Sequence, residues 1–232
     1  MLDRCCKVAS EIDILFNASK SKCMVVGPSV TGLLDAIMTL GNIPMQWVSK
    51  IKYLGIHFIA AKHFKVDFCD IRRKYFSSLN VILSKCRYAS DPVKLQLIES
   101  QCLPILLYAI ESLNLKRDEL SSLNSCWNAA YRKIFNFNKW ESVKELIHLL
   151  GRTDLKLMEN YRRITFVKSM CSISCSNNVV NLIANNYVNS GEYYTLINKY
   201  GLQPTWSHGK IKAVSHSIFN NIQQSAEQTT IQ

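Results

Sequence analysis

The chain has 232 residues, 28 Lys+Arg against 17 Asp+Glu, a formal charge of +11 and 48% apolar residues. That composition belongs to a core-forming chain of one large or two small domains and excludes disordered and fibrous classes. The longest apolar run, Leu103 to Ile110, is far shorter than a bilayer span, and Met1-Leu2-Asp3-Arg4-Cys5-Cys6-Lys7 has no signal-peptide core, so no membrane association or export is expected.

In chain order, Leu2, Cys5, Ala9, Ile12 and Phe16 recur at spacings of three and four, which predicts an amphipathic helix over 2–16. Asn17-Ala18-Ser19-Lys20 interrupts it, and Cys23-Met24-Val25-Val26 reads as a short strand ended by Gly27-Pro28. Residues 43–59 are rich in aromatic and β-branched side chains, with Trp47-Val48 and Ile51 to Phe58 divided by Ser49-Lys50. A small antiparallel hairpin is expected there.

Beyond it the chain turns helical. Phe68, Ile71, Tyr75, Leu79, Ile82 and Cys86 follow the helical rhythm, with Arg72, Arg73 and Lys74 crowding one turn. Ser90-Asp91-Pro92 starts the next helix, which Pro104 should kink or split. Asp118 is expected to cap a helix that buries Leu120, Leu123, Trp127, Ala130 and Ile134, and Tyr108 is expected in the core with Trp127. A helix over 143–150 ends at Gly151. Another covers 154–171, with Lys156, Arg162, Arg163 and Lys168 outside. After Cys175 the asparagines at 177, 178, 181, 185 and 186 weaken the pattern, Val179 to Ile183 can nucleate a short helix, and the tail from Asn221 should fray. The expected fold is mainly α with a small antiparallel β part (α+β). It divides into 1–60 with the hairpin, 61–175 as a helical body, and a weakly structured 176–232.

Charge is unevenly placed. Residues 50–87 carry nine basic groups (Lys50, Lys52, Lys62, Lys65, Arg72, Arg73, Lys74, Lys85, Arg87) against two acidic ones, whereas 1–49 and 88–151 each balance. A basic excess confined to one stretch points to a polyanion partner, against the alternative of a solvated helix face. The nine cysteines lie mostly in apolar-periodic segments and read as reduced thiols, buried or idle. Cys171, Cys175, His208 and His216 have spacings that fit no compact zinc module.

The order of these segments resembles the reverse transcriptases of non-LTR (LINE-type) retrotransposons. Phe16-Asn17-Ala18-Ser19-Lys20-Ser21-Lys22-Cys23-Met24 resembles the fourth palm motif, and Lys52-Tyr53-Leu54-Gly55-Ile56 the following primer-grip hairpin. Pro104-Ile105-Leu106-Leu107-Tyr108-Ala109-Ile110-Glu111 is similar to a thumb helix, with Ala109 where the family usually carries glycine. The resemblance covers roughly residues 1–170 and implies the end of a palm followed by a thumb.

The family's catalytic carboxylates hold two metal ions, and they stand upstream of these motifs. This sequence has no Asp-Asp pair, so it reads as beginning just after the catalytic centre. Asp67 and Asp70 are expected to share a helix face and, beside Lys65, Arg72 and Arg73, look like local charge partners. No cofactor is expected, with Mg2+ relevant only if the upstream part were supplied. No enzymatic activity is expected of the chain as it stands.

By the same resemblance, Lys20 matches a lysine near the leaving pyrophosphate, its alternative being a strand-edge lysine. Lys22, Trp47, Lys50, Lys52 and Tyr53 fall in the fourth-motif and primer-grip regions, where Trp47 and Tyr53 read equally as core aromatics. Arg72, Arg73 and Lys74 match the start of the thumb, which tracks the phosphates of an RNA–DNA duplex. The partner implied is such a duplex, bound without sequence preference. Two alternatives are a helical module that binds a protein through exposed apolar helix faces, and a relic reading frame with no function. Polymerases of this family act at chromosomal DNA in the nucleus, though no basic import cluster stands in this sequence.

Overall fold

A computed structural model describes residues 2–28, 36–173 and 177–203. They are mainly helical with a few short strands, as the periodicity predicts. They fall into two compact units that divide between Asp70 and Ile71.

The first unit opens with α1 (Leu2–Glu11). This helix is shorter than expected, because Asp13 turns left-handed (φ 55°) and the Ile14 N–H returns to the Ala9 carbonyl, a helix-ending geometry. Ile12 and Phe16, expected inside, are consequently exposed. Strand β1 (Lys22–Cys23) pairs with β4 (Gln46–Trp47) in parallel, a long-range pairing that the hairpin reading did not contain. Between them β2 (Thr39–Leu40) and β3 (Ile43–Pro44) form a minimal antiparallel ladder around Gly41-Asn42, both at positive φ.

An antiparallel hairpin does form within 43–59, but as β5 (Lys50–Tyr53) with β6 (Ile56–Ile59), not with its division at Ser49-Lys50. Its two-residue turn, Leu54-Gly55, has φ of 45° and 85°, the primed geometry whose twist matches the strands. A third strand, β7 (Lys65–Asp67), adds to β6 in a stretch expected to be turning helical. Alternation and register put Lys50, Lys52, His57, Ile59, Lys65 and Asp67 on one face of this sheet. Ile51, Tyr53, Ile56, Phe58 and Val66 lie on the other. Ile56 and Val66 are buried, and Phe64 packs its ring on Phe58 at 5.0 Å between centroids.

The chain enters the second unit through α2 (Cys69–Lys85), which buries Ile71, Tyr75 and Leu79. α3 (Asp91–Gln101) has Pro92 in its first turn and gives way at Cys102 to α4 (Leu103–Leu106), the break expected at Pro104. A 3-10 turn, Ile110–Ser112, follows Ala109, which sits left-handed at φ 57°, ψ 11°. By length and composition alone the run 91–112 is apolar enough to cross a membrane. It is, however, interrupted by Pro104 and Ala109, and Leu95, Ile98, Cys102, Leu106 and Ile110 are buried.

α5 (Arg117–Ile134) buries Leu123, Cys126, Trp127, Ala130, Tyr131 and Ile134 at the predicted spacing. Its start is held by Glu119, whose carboxylate accepts the Lys116 N–H at 2.9 Å, whereas Asp118 lies in the first turn and does not cap it. α6 (Lys144–Leu149) ends as expected at Gly151 (φ 64°). There the Gly151 N–H reaches the His148 carbonyl and the Arg152 N–H that of Ile147, a Schellman closure.

α7 (Leu155–Ile173) packs on α5, on the 3-10 turn and on the two helices that follow. These are α8 (Asn178–Asn189) and α9 (Glu192–Lys199). The asparagine-rich stretch thus forms one helix, α8, longer than expected, and α9 follows it within the region expected to be weakly structured. Asn177 caps α8 by accepting the Val179 and Val180 N–H groups, and Tyr193, Ile197, Tyr200 and Leu202 close a core with Ile164 and Val167. Capping and burial outweigh the weak helix propensity of asparagine. The tail from Asn221, with Cys175, His208 and His216, lies outside the described residues.

Two arginines expected outside α7 turn inward. Arg162 donates to the Leu107 carbonyl at 3.1 Å and reaches the Glu111 carboxylate at 3.3 Å, and Arg163 donates to the Leu113 carbonyl at 3.0 Å. The helix broken at Pro104 and Ala109 turns these carbonyls toward α7, where each accepts a guanidinium N–H beside a local backbone N–H, from Ile110 at Leu107 and from Leu115 at Leu113. Arg163 also pairs with Glu159, whose carboxyl burial pushes above its ordinary value while Arg163 opposes that shift.

Candidate nucleic-acid interface

In the first unit residues 17–21 form a turn organised by Asn17. Its side-chain oxygen accepts the Ser19 hydroxyl at 2.6 Å and the Lys20 N–H at 3.2 Å, and its carbonyl accepts the Ser21 hydroxyl and N–H. Lys20 is carried out to solvent, and Lys22 donates to the Gln46 side chain across the β1–β4 pair at 2.8 Å. Trp47 is half-buried with its indole N–H on the Ala36 carbonyl at 2.8 Å, so its polar atom is occupied inside the unit.

The three-stranded sheet redistributes the basic stretch. Lys50 bonds Asp67 across the sheet, and this hydrogen bond is the first cause of an Asp67 carboxyl held well below the ordinary aspartate range. Asp67 also accepts the Cys69 N–H, and Asp70 pairs with His57 at 2.8 Å. The two aspartates do not share a helix face as expected, and Lys50 and His57 are partners outside the expected set of Lys65, Arg72 and Arg73. Asp67 ends β7 while Asp70 sits in the first turn of α2, and their named partners come from β5 and β6. Carboxylates engaged in this way are not a vacant cradle for Mg2+. Lys52 and the hairpin tip remain outward, with Tyr53 63% and Leu54 73% exposed.

In the second unit Arg72, Arg73 and Lys74 are all exposed but do not form one row. Successive residues advance 100° around a helix, so with Ile71 and Tyr75 inward, Arg73 lies opposite the core and Arg72 and Lys74 flank it. Arg72 reaches the Ser122 hydroxyl of α5 at 3.4 Å and so also braces the packing of α2.

Tyr108, expected in the core, is half-exposed, whereas Trp127 is fully buried with Tyr131 edge-on to it at 5.2 Å. Cys102 and Cys126 are buried, and burial raises both thiols, whereas Cys5 and Cys69 are exposed and Cys6, Cys23, Cys86 and Cys171 are only partly covered. Among the described residues no group of three or more His, Cys, Asp or Glu side chains converges on a common point.

Two aromatic groups stand out that the sequence reading passed over: Tyr88, 95% exposed, and Trp140, 87% exposed. Their signal was a lone aromatic beside a basic residue in an inter-helix segment, at Arg87-Tyr88 and Lys139-Trp140. Compared with protein-family models, curated proteins and solved structures, the chain matches none.

Proposed function

We propose that this chain is the end of the palm and the thumb of a non-LTR retrotransposon reverse transcriptase, without the catalytic aspartates. Its activity is sequence-independent binding of an RNA–DNA duplex, not DNA synthesis. The observation that carries the reading is the hairpin tip. A tight turn holds Tyr53 and Leu54 in water beside exposed Lys52, where they add nothing to a core and suit contact with a nucleic-acid terminus. Ala109 supports the family resemblance independently. The residue at the family's glycine position has the left-handed backbone that glycine adopts without strain.

The test is titration of a labelled RNA–DNA hybrid across a range of salt. Binding should weaken steeply with salt, and Arg72→Ala, Arg73→Ala and Lys74→Ala together should lower the slope of log K against log salt by about one for each phosphate no longer neutralised. An unchanged slope would overturn the thumb assignment. Primer extension with Mg2+ should give no product above a protein-free control, and robust extension would sink the non-catalytic part.

One observation favours a second reading, a helical protein-interaction module. α8 leaves Val179, Leu182 and Ile183 exposed, an apolar patch of the kind that a partner covers. Failure of any duplex to bind, with capture of a protein partner abolished by Leu182→Asp, would favour it.

A further inference from the structure

The contacts of α2 with α5 set their relative direction. Arg72 meets Ser122, and eight residues on, Asn80 accepts from Lys133, which also lies over the Phe76 ring. Both helices advance the same way along these contacts, so the segments leaving their C-termini project toward one end of the second unit. From α2 come Lys85, Arg87 and Tyr88, and from α5 the segment 135–142 with Lys139 and Trp140.

The Trp140 segment is built to hold its shape. Glu141 accepts the Asn138 N–H at 2.6 Å and the Asn138 side-chain amide at 2.9 Å, Arg132 Nε donates to the Glu141 carbonyl at 2.9 Å, and the Phe137 N–H returns to the Arg132 carbonyl. An indole held in water by a braced loop gives up the free energy that burying it would release. Lys139 places its ammonium over one face of that indole, 4.9 Å from the centroid, which pairs a stacking surface with a cation.

Residues 88–151 are neutral in sum, yet the fold separates their charges. Asp91 is paired with Lys94, Glu99 with Arg152 and Glu111 with Arg162, and Asp118 and Glu119 sit in the first turn of α5, at the opposite end of that helix from residues 135–142. Glu141, whose carboxylate stays charged on its Asn138 hydrogen bonds, and Glu145 in the first turn of α6 stand against Lys85, Arg87 and Lys139.

We infer that this end of the helical unit binds single-stranded nucleic acid, with unpaired bases stacking on Trp140 and Tyr88 and phosphates meeting Lys139, Lys85 and Arg87. The inference rests on the nucleic-acid reading above for its class of partner, and on separate residues for its contacts. Stacking on aromatic side chains tolerates any base, because every base has a π face, and neighbouring cations supply the salt-dependent term. A stack is excluded when the bases are already paired, so the preference is for single strands.

The experiment uses the full chain, a labelled oligouridylate and a blunt RNA–DNA hybrid. Trp140→Ala and Tyr88→Ala alter exposed side chains and should leave circular dichroism and thermal unfolding unchanged. Each should weaken oligouridylate binding by about tenfold, with Trp140→Phe close to the parent and the hybrid bound as before. Indole emission should be quenched by oligouridylate in the parent and far less in Trp140→Ala. Parental oligouridylate affinity in both alanine variants would overturn the inference. So would a hybrid that binds while the single strand does not, an outcome that leaves the proposed function standing. Loss of both ligands in the parent would overturn both. Equal binding of heparin with no quenching would also overturn it, because the contact would then be charge alone.

Discussion

In the first unit Ala9, Ala18, Leu40, Ile56 and Val66 are the buried apolar side chains among the described residues, while Ile12, Leu15, Ile37 and Leu54 stand in solvent. In the second, Trp127, Tyr75, Tyr131, Leu79, Ile98, Leu123 and Ile164 are all but sealed from water. The strands of the first unit are two to four residues long, and its backbone ladders are correspondingly open to solvent. Apolar burial is the main favourable term in folding, so the second unit carries most of the stability and the first should open first. The outward groups differ as well. The first unit spends Lys50 and Asp67 on joining strands, whereas the second spends its acids on bracing loops and leaves Lys85, Arg87 and Lys139 outward.

The largest expected effect tests the second unit. Trp127→Ala should remove about 3–5 kcal/mol from its unfolding free energy, because the indole is fully buried against Tyr131 and truncation leaves a cavity. Amide exchange in α5 and α7 should accelerate while that of the β5–β6 pair stays unchanged. Equal acceleration in both would mean that the units unfold together and break the comparison.

A smaller change of opposite sign is expected from Ala109→Gly. A left-handed alanine is strained relative to glycine, so the variant should gain about 1 kcal/mol, read as a higher denaturation midpoint of the helical unit. A lower midpoint would show that the small side chain contributes more to packing than the backbone strain costs.

The smallest effect is a pH response that differs in sign between the units. The Asp67 carboxyl is held low, so its contribution is present above the ordinary aspartate pKa and is lost as pH falls toward the depressed folded value. Glu159 is the reverse. Burial raises its folded pKa, so its contribution is fully present below the unfolded value and is lost as pH rises through the raised one. Mild acidification through the raised Glu159 value should therefore slow amide exchange around α7, and only stronger acidification, below the ordinary aspartate range, should speed it in the three-stranded sheet. Glu159→Gln should abolish the trend around α7, and an unaltered trend in that variant would assign it to another group.

Much of the helical unit was legible beforehand. The rhythms of Ile71, Tyr75 and Leu79 and of Leu123, Trp127, Ala130 and Ile134, the break at Pro104 and the stop at Gly151 are local, since side-chain spacing and backbone sterics act within a few residues. The hairpin was legible but not its turn: Ser49-Lys50 was expected to divide the strands, whereas Leu54-Gly55 does, because its positive φ pair gives the twist that the strands need. The third strand β7 was not, because three residues carry no period and form a strand only when β6 offers its edge. Nor was the parallel β1–β4 pair, which joins segments 24 residues apart. At the interface the local charge excess was visible, but not which lysine would find a carboxylate. Trp140 was passed over because an aromatic between helices has no periodicity to mark it as inside or outside.

Local order in the helical unit was therefore largely decided by the sequence alone: where most helices run, where they break, the core stripes of α2 and α5, and where basic groups concentrate. Tertiary structure decided which charges survive as surface charges and which backbone groups take a side-chain donor. Lys50 and His57 are drawn to Asp67 and Asp70 only after strands align, and Arg162 and Arg163 turn inward only because a broken helix presents Leu107 and Leu113 carbonyls to them. Such choices depend on distances between residues remote in the chain, and hydrogen bonds and ion pairs act only at short range, so no reading of spacing along the chain contains them.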